Sequence, residues 1–293
     1  MHRLSPLLLL LPWAQLANAQ AAPPLAPTGA QALVGRALAN ELHAAQDTGH
    51  PMRYKLRKTT PRLTSVKLLI ETRDGLVARL QTINDKPLSA ADEQKEQERL
   101  EALLRDPARQ RHRKQSEDAD AARAMKVLRQ LPKAFLYEPA AHDSPQALPS
   151  GAAVRFTFRP NPDFNPPDLE TEVLTAMSGT IWIDPAEERV TRLEGHLDED
   201  VDFGWGILGE LKKGGRIVIL QGDTGAGAWR IQRFEMQMTG RVFFKSRVFD
   251  TVEEQSEFAP VPAQMPFQKA IEMLRAAGDS APRAALPQEI PEP

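Results

Sequence analysis

The second half of the chain is a succession of short segments of alternating hydrophobicity, separated by turn residues. Val154, Phe156 and Phe158, for example, alternate with arginine and threonine, which is the period-2 pattern of a strand with one buried face. Segments so close together favour an antiparallel meander, because a parallel crossover needs roughly a dozen residues or more. Further strands are predicted near residues 178–184, 189–197, 216–221, 229–238 and 242–251, separated by Asp-Pro, Lys-Lys-Gly-Gly, glycine-rich and Thr239-Gly240 turns.

The first half of the chain contributes more strands and a helix. The runs at 52–57, 66–71 and 76–80 alternate, and Asp74-Gly75 precedes the last of them. An Asp-Gly pair is typical of a tight hairpin, because both turn residues tolerate positive φ. Apolar residues recur every three to four positions over 31–46, and again over 266–276 near the C-terminus. This spacing predicts a helix in each segment.

Several predicted strands carry apolar side chains on both faces. In the segment 242–251, Val242, Phe244 and Val248 share one face, while Phe243 lies on the other. A sheet with one wet face alternates more cleanly, so we expect a sheet whose inner face is covered by helices. The expected fold class is α+β: a curved antiparallel β-sheet (an incomplete barrel) with an N-terminal helix, a charged helical insert and a C-terminal helix.

Residues 89–131 form that insert. Ser89 with Asp92 three positions later resembles a capping box, and Asp106-Pro107 is typical of a fresh helix start. Two or three helices are predicted, docked by narrow apolar stripes, whereas a coiled coil or partner-binding helix would need sustained heptads. The stretch from Asp92 to Arg129 carries ten basic and nine acidic residues, and its apolar stripes are Leu100, Leu103 and Leu104, then Met125, Leu128 and Leu131.

The first nineteen residues have the features of a secretory signal. A basic start at Arg3, an apolar run at 4–11 and Ala17-Asn18-Ala19 predict cleavage after Ala19. We therefore expect a periplasmic or secreted protein. The apolar run is shorter than the roughly 20 residues of a spanning helix, so no transmembrane segment is expected. The remaining boundaries predicted are a flexible leader at 20–30, a single domain at 31–277 and a disordered proline-rich tail at 278–293.

The composition and motifs of the chain exclude several kinds of functional site. The chain has no cysteine, which excludes disulfides, thiolate metal sites and a lipid-modified cysteine. Its formal net charge of −2 gives no reason to expect a nucleic acid partner. The histidines lack metal-ligand spacing, and neither a G-x-S-x-G elbow nor a P-loop occurs. We therefore expect no catalytic residue, no metal site and no cofactor, so not an enzyme. A hydrolase built on an unrecognised site remains an alternative.

Two local features are open to more than one interpretation. The cluster Asp198, Glu199, Asp200 and Asp202 has the carboxylates that Ca²⁺ prefers but lacks the rest of an EF-hand loop, so a solvated turn is the alternative. Trp205 lies in a glycine-interrupted apolar segment, 203–211. Such a segment is either an exposed loop that contacts a ligand or a connection packed beneath the sheet.

Several motifs between residues 50 and 258 resemble uncharacterised secreted bacterial β-rich proteins. The order of elements is similar to the periplasmic lipoprotein-carrier fold of the lipoprotein-localisation factors and outer-membrane lipoprotein-sorting proteins (LolA/LolB-like). That fold is an incomplete antiparallel barrel that holds acyl chains, although the likeness transfers no function by itself. The motifs are Glu71-Thr72-Arg73-Asp74-Gly75, Leu131-Pro132-Lys133-Ala134-Phe135, Met177-Ser178-Gly179-Thr180-Ile181-Trp182-Ile183-Asp184-Pro185, Arg192-Leu193-Glu194-Gly195 and Phe203-Gly204-x-Gly206-x-Leu208.

The resemblance implies a non-catalytic protein that binds or shields a hydrophobic moiety, such as a lipid or a lipoprotein acyl chain. A second hypothesis is a cell-envelope interaction or scaffold module that meets a protein partner through the charged insert. Under the first hypothesis, apolar sheet and loop residues line the ligand site. The predicted lining residues are Phe156, Phe158, Trp182, Trp205, Phe234, Met236 and Phe244.

Overall fold

A computed structural model describes residues 27–140, 147–148, 151–203, 209–225, 228–242 and 245–279. The predicted signal peptide, most of the leader and nearly all of the C-terminal tail lie outside the described residues. Among the described residues, no helix is both long enough and apolar enough to cross a membrane.

Strands dominate the described part of the chain, and every strand pairing is antiparallel. In chain order they are β1 (Met52–Thr59), β2 (Thr64–Ile70), β3 (Val77–Ile83), β4 (Lys86–Pro87), β5 (Phe135–Pro139), β6 (Ala147–Leu148), β7 (Gly151–Ala152), β8 (Val154–Pro160), β9 (Met177–Asp184), β10 (Arg189–Leu197), β11 (Val201–Phe203), β12 (Gly209–Leu211), β13 (Arg216–Asp223), β14 (Trp229–Val242) and β15 (Lys245–Pro260).

The helices begin where the sequence supplies caps. Ser89 Oγ accepts a hydrogen bond from the Asp92 N–H, and Asp106 Oδ1 accepts from the Ala108 N–H with Pro107 at the first helical position. These caps satisfy N–H groups that have no partner within the helix. The helices are α1 (Pro27–Gln46), α2 (Ala90–Arg105), α3 (Pro107–Ala134), α4 (Leu169–Glu172), followed by a 3₁₀ turn at Val173–Ala176, and α5 (Phe267–Asp279).

One large sheet contains all strands except the β6–β7 hairpin. Its order is β4-β3-β2-β1-β15-β14-β13-β10-β9-β8-β5, and the short β11–β12 hairpin joins it at β14. The N-terminal strands form one half and the meander from β5 to β14 forms the other. The last strand in the sequence, β15, lies between the halves and pairs with both β1 and β14.

The registers assign each side chain to a face, because directly paired residues of an antiparallel sheet point the same way. One row of paired residues crosses the sheet from β8 to β1 and defines what we call the inner face. The adjacent row defines the outer face. The inner row is Phe156, Ile181, Leu193, Ile219, Phe234, Glu253 and Lys58, and the outer row is Arg155, Trp182, Arg192, Leu220, Arg233, Glu254 and Arg57.

Helices cover opposite faces at opposite ends of the sheet. On the inner face, α1 and the end of α3 pack on β5, β8, β9 and β10, where Phe156, Ile181 and Leu38 are buried. On the outer face, α2 and α5 pack on β2 and β3 around Ile70 and Ile271. The sheet centre, at β13, β14 and β15, therefore lies between two separate helical layers.

Helix α3 shows that the sheet curves. In its first half, Glu117 Oε2 accepts a hydrogen bond from the Leu76 N–H just before β3. Near its end, the Leu131 carbonyl accepts from the Tyr137 hydroxyl of β5. The two helix residues lie about 21 Å apart along the axis, whereas β3 and β5, second and eleventh in the strand order, would be about 43 Å apart in a flat sheet. The expected fold, an α+β protein with an open, curved antiparallel sheet, is confirmed.

Two predicted turns differ from the structure. Asp74-Gly75 lies in a six-residue connection in which only Gly75 has positive φ, whereas the two-residue hairpin turn is Asn84-Asp85, both with positive φ. Thr239-Gly240 is not a turn but part of β14. A Cβ at Gly240 would lie 2.4 Å from the Glu210 carbonyl oxygen, so this glycine permits the close approach of β12.

Candidate functional site

A strip of apolar residues runs along the inner face at the sheet centre. Leu193 pairs with Ile219 and Ile219 with Phe234, while Ile217 pairs with Met236 in the next row. We call these five residues the inner strip. All five are partly exposed. The strip is a place where the sheet presents apolar surface that its own helices do not fully cover.

The residues of the strip differ in whether they contact a buried cluster. Leu193 and Ile217 pack against the buried cluster beneath α1 and α3. Ile219, Phe234 and Met236 belong to none of the buried clusters formed by the described residues. These three residues therefore present apolar surface outside the buried clusters.

Polar residues close the strip on the side of β15 and β1. Phe234 pairs with Glu253 and Met236 with Thr251. Glu253 accepts a hydrogen bond from Lys58 Nζ at 2.8 Å. A hydrophobic ligand with a polar head group would find a hydroxyl and an ion pair at this boundary, next to the apolar surface.

The predicted lining residues occupy several different environments. Phe156 and Phe158 are buried in the core beneath α1, with 0% and 4% of their surfaces exposed. Trp182 lies on the outer face, where its ring stacks 4.9 Å from the Arg192 guanidinium carbon. The structure brings only Phe234 and Met236 together on partly exposed inner surface. The remaining two, Trp205 and Phe244, lie outside the described residues.

Sequence reasoning missed Ile217, Ile219 and Leu193 as members of the strip. Residues 217–220 are a continuous apolar run, Ile-Val-Ile-Leu, so period-2 alternation cannot assign a face to any of them. The pairing of Leu193 and Ile219 with Phe234 could be found only from the strand register. Phe234 and Met236 were found because they alternate with Arg233 and Glu235.

The outer face carries a cleft of about 580 Å³ whose lining includes several polar side chains. Ser178 Oγ lies 3.2 Å from His196 Nε2, and Asp198 Oδ1 lies 3.1 Å from the same nitrogen. Arg216 and Glu194 also line the cleft and form a 3.8 Å ion pair. A hydroxyl, an imidazole and a carboxylate therefore converge here, as a hydrolase would require.

Their geometry does not support acyl transfer. A serine nucleophile needs an imidazole that bonds the serine with one ring nitrogen and the orienting carboxylate with the other. Here Ser178 and Asp198 both face Nε2 of His196. In addition, β9 is paired on both sides, which commits its backbone N–H groups to the sheet rather than to an oxyanion.

The acidic cluster forms ordinary surface contacts. Asp200 accepts hydrogen bonds from the Lys213 N–H at 2.7 Å and from Lys212 Nζ at 2.9 Å. These two bonds hold the pKa of the Asp200 carboxyl below its ordinary value. They join the start of β11 to the turn after β12. Among the described residues, no group of three histidine, aspartate or glutamate side chains is placed to hold a metal ion.

The charged insert is anchored to β3 by two glutamates. Glu96 of α2 accepts the Leu80 N–H at 2.8 Å, and Glu117 of α3 accepts the Leu76 N–H at 2.9 Å. Burial raises the pKa of Glu117. Burial also acts on Glu96, but hydrogen bonds from Arg99 and Leu80 outweigh it and lower the pKa of Glu96. The insert therefore contributes to the fold on its inward side, while residues 118–124 are exposed.

Compared with models of protein families, with curated proteins and with solved structures, the chain shows no match. The inner strip and the outer cleft can be compared only by the kinds of side chain that they present. The strip offers contiguous apolar surface on three neighbouring strands, and the cleft offers polar groups that bond mainly to one another.

Proposed function

We propose that the protein binds a hydrophobic moiety, such as the acyl chain of a lipid or lipoprotein, along the inner strip without catalysing a reaction. The observation that supports this is the set Ile219, Phe234 and Met236, which is apolar, partly exposed and outside the buried clusters. The resemblance to the lipoprotein-carrier fold and the predicted export signal agree with it. The proposed place of action is the periplasm or the exterior of the cell.

The energetics of such a site need no conspicuous polar motif. Each methylene removed from water contributes about 0.8 kcal/mol, so the roughly sixteen methylenes of a long acyl chain correspond to about 13 kcal/mol. The loss of translational and rotational freedom on association offsets about 5 kcal/mol of that gain. The net affinity expected for a single acyl chain is in the micromolar range. Binding should favour longer chains, because each methylene adds a similar increment.

The test compares two neighbouring positions on β13 that face opposite ways. Ile219 belongs to the inner strip, whereas Leu220 is partly exposed on the outer face between Arg192 and Arg233. Delipidated protein is titrated with a fluorescent fatty acid, and bound lipid is counted by native mass spectrometry. We expect Ile219→Gln and Phe234→Gln each to weaken binding about tenfold, and Leu220→Gln to leave it unchanged.

Two results would contradict the proposal. One is wild-type protein that binds no acyl chain in either measurement. The other is equal weakening by Ile219→Gln and Leu220→Gln, which would place the ligand elsewhere. Thermal unfolding of each variant, measured in parallel, separates lost binding from lost structure.

A further inference from the structure

The cleft on the outer face lies where short side chains are paired across neighbouring strands. Thr157 of β8 pairs with Thr180 of β9, and Ser178 in the row beside them pairs with His196 of β10. The row on the other side carries much larger side chains on the same face, namely Arg155, Trp182 and Arg192. The resulting depression of about 580 Å³ falls within the size range of small-molecule pockets, roughly 300–1,000 Å³.

The polar groups around the cleft retain hydrogen-bonding capacity. His196 contacts its neighbours through Nε2, whereas its Nδ1 has no partner among the described residues. Arg216 lies 3.8 Å from Glu194, which is beyond hydrogen-bonding distance. The Thr180 hydroxyl likewise has no hydrogen-bond partner in the part of the chain that the structure describes. Donors and acceptors are therefore both available to a ligand.

We propose that this cleft binds a neutral, hydroxyl-rich ligand of the carbohydrate class. A hydroxyl group both donates and accepts hydrogen bonds, so a polyol can pair with carboxylate, guanidinium and hydroxyl side chains at once. Glu194, Arg216 and Thr180 supply these three kinds of group. They project from strands that are each paired on both sides. Because that backbone is already ordered, binding costs less conformational entropy than it would on a loop.

Other classes of ligand fit the cleft less well. An anion would be attracted to Arg216 but would also meet the carboxylates of Glu194 and Asp198, and a cation would meet Arg216. Among the described residues, no three histidine, aspartate or glutamate side chains are placed to hold a metal ion. An acyl chain would leave the polar groups without partners, which costs free energy. A neutral polar ligand avoids each of these penalties.

The test is saturation-transfer difference NMR of the full chain with maltotriose, cellotriose and chitotriose, and phosphorus NMR with inorganic phosphate. Each probe is titrated to about 10 mM, because an open cleft of this kind predicts dissociation constants in the millimolar range. We expect at least one trisaccharide to bind and phosphate not to bind. Thr180→Val should weaken trisaccharide binding about fivefold, and Arg216→Gln about tenfold.

Thr239→Val and Arg241→Gln are the matched controls. Both residues are exposed on the outer face of β14, outside the cleft. Arg241 forms an ion pair of 3.7 Å with Glu210, which resembles that of Arg216 with Glu194. Neither control should change trisaccharide binding.

Three results would overturn the proposal. The first is wild-type protein that binds none of the trisaccharides. The second is an equal effect of the cleft variants and their controls. The third is phosphate binding that Arg216→Gln abolishes, which would assign the cleft to an anion.

The cleft and the inner strip lie on opposite faces of the sheet, so the two binding proposals can fail separately. Ile219→Gln, which changes the inner strip, should leave trisaccharide binding unchanged. Thr180→Val should leave the fatty-acid titration unchanged. Thermal unfolding of each variant distinguishes a lost ligand contact from a lost fold.

Discussion

Only glycine fits at position 179, because the neighbouring strands lie very close to it. A Cβ at this position would lie 1.9 Å from the Glu194 carbonyl oxygen of β10 and 2.7 Å from the Phe158 ring. Moving either neighbour would cost free energy of folding, because one is backbone in the sheet and the other is a buried ring. The glycine in the Met177–Pro185 motif is therefore explained by packing.

Gly179→Ala is expected to lower the free energy of unfolding by about 3 kcal/mol, because the methyl group would force β9 away from β10. The measurement is urea denaturation followed by circular dichroism. Gly35→Ala is the control: nothing lies within 4 Å of a Cβ there, and alanine in a helix interior should stabilise by about 0.5–1 kcal/mol. Equal stability of Gly179→Ala and wild type would show that the two strands separate without cost.

At the same scale, sequence alone identified some site residues and not others. Phe234 and Met236 alternate with charged residues, so their shared face was predictable. Trp182 alternates with Ile181 and Ile183, which are equally apolar, and only the register shows that it stacks on Arg192 of the outer face. Period-2 reasoning succeeds where one face is polar and fails where both are apolar.

At the scale of elements, two helices dock on β3 through the same kind of bond and yet differ in electrostatics. Glu96 accepts the Leu80 N–H of β3, and Glu117 accepts the Leu76 N–H just before that strand. Glu96 has a guanidinium beside it, since Arg99 Nε donates to it at 2.7 Å. For Glu117, burial raises the pKa by more than the bond from the Leu76 N–H and the nearby charges of Arg113 and Lys114 lower it. Their pKa values therefore move in opposite directions from the ordinary value of 4.5.

The two glutamates should have opposite effects on stability as pH changes. The raised pKa of Glu117 favours the protonated form in the folded state, so its contribution is present at low pH and lost as pH rises through that pKa. Glu117→Gln keeps the acceptor oxygen and should therefore stabilise at pH 7. The gain should vanish below the ordinary glutamate pKa. Chemical denaturation at a series of pH values measures it.

Glu96→Gln is the matched counterpart. The lowered pKa of Glu96 contributes stability above the unfolded value, and this contribution is lost as pH falls through the folded value. Glu96→Gln should therefore destabilise at pH 7, with a loss that shrinks towards pH 3. If both variants changed stability in the same direction at pH 7, the difference in charge environment would be refuted.

The helices of the insert were predictable, and their role was not. Ser89, Asp106 and Pro107 mark helix starts in the sequence, and all three act as predicted. That α3 crosses from the β2–β3 connection to β5 depends on contacts of Glu117 and Leu131 with residues far away in the chain. Charge patterning indicates a solvated surface but does not say which carboxylate is turned inward.

At the scale of the whole molecule, an open sheet has two edges that must be protected from pairing with other chains. One edge strand, β4, is only two residues long and ends in proline. At the other edge, β5, the Tyr137 N–H donates to Gln31 Oε1 at 3.3 Å, and Gln31 Nε2 donates to the Pro132 carbonyl at 2.9 Å. The Gln31 side chain of α1 thus accepts a hydrogen bond from a backbone N–H of the edge strand β5.

Gln31→Ala should make this edge available. We expect a loss of about 1 kcal/mol in unfolding free energy and faster concentration-dependent aggregation on mild heating, measured by light scattering. Gln130→Ala is the control, because Gln130 and Gln31 both line a cleft beside β5 and the two substitutions change the composition in the same way. Aggregation at the same rate in both variants would show that Gln31 does not protect the edge.

The overall architecture was the most predictable level. Turn residues at short intervals fixed an antiparallel meander, and the absence of cysteine left the sheet core as the source of stability. The strand order was not predictable, because the pairing of β1 with β15 joins residues about 200 positions apart, such as Arg57 and Glu254. Local patterns carry no information on which distant strand becomes a neighbour.

The position of β15 also determines when the sheet can be completed during synthesis. During synthesis this strand leaves the ribosome after every other described strand, yet both halves of the sheet meet on it. Until Pro260 has emerged, β1 and β14 each have an open side, and the surfaces later occupied by β15 and α5 are bare. Neither half of the sheet is therefore complete until β15 has emerged.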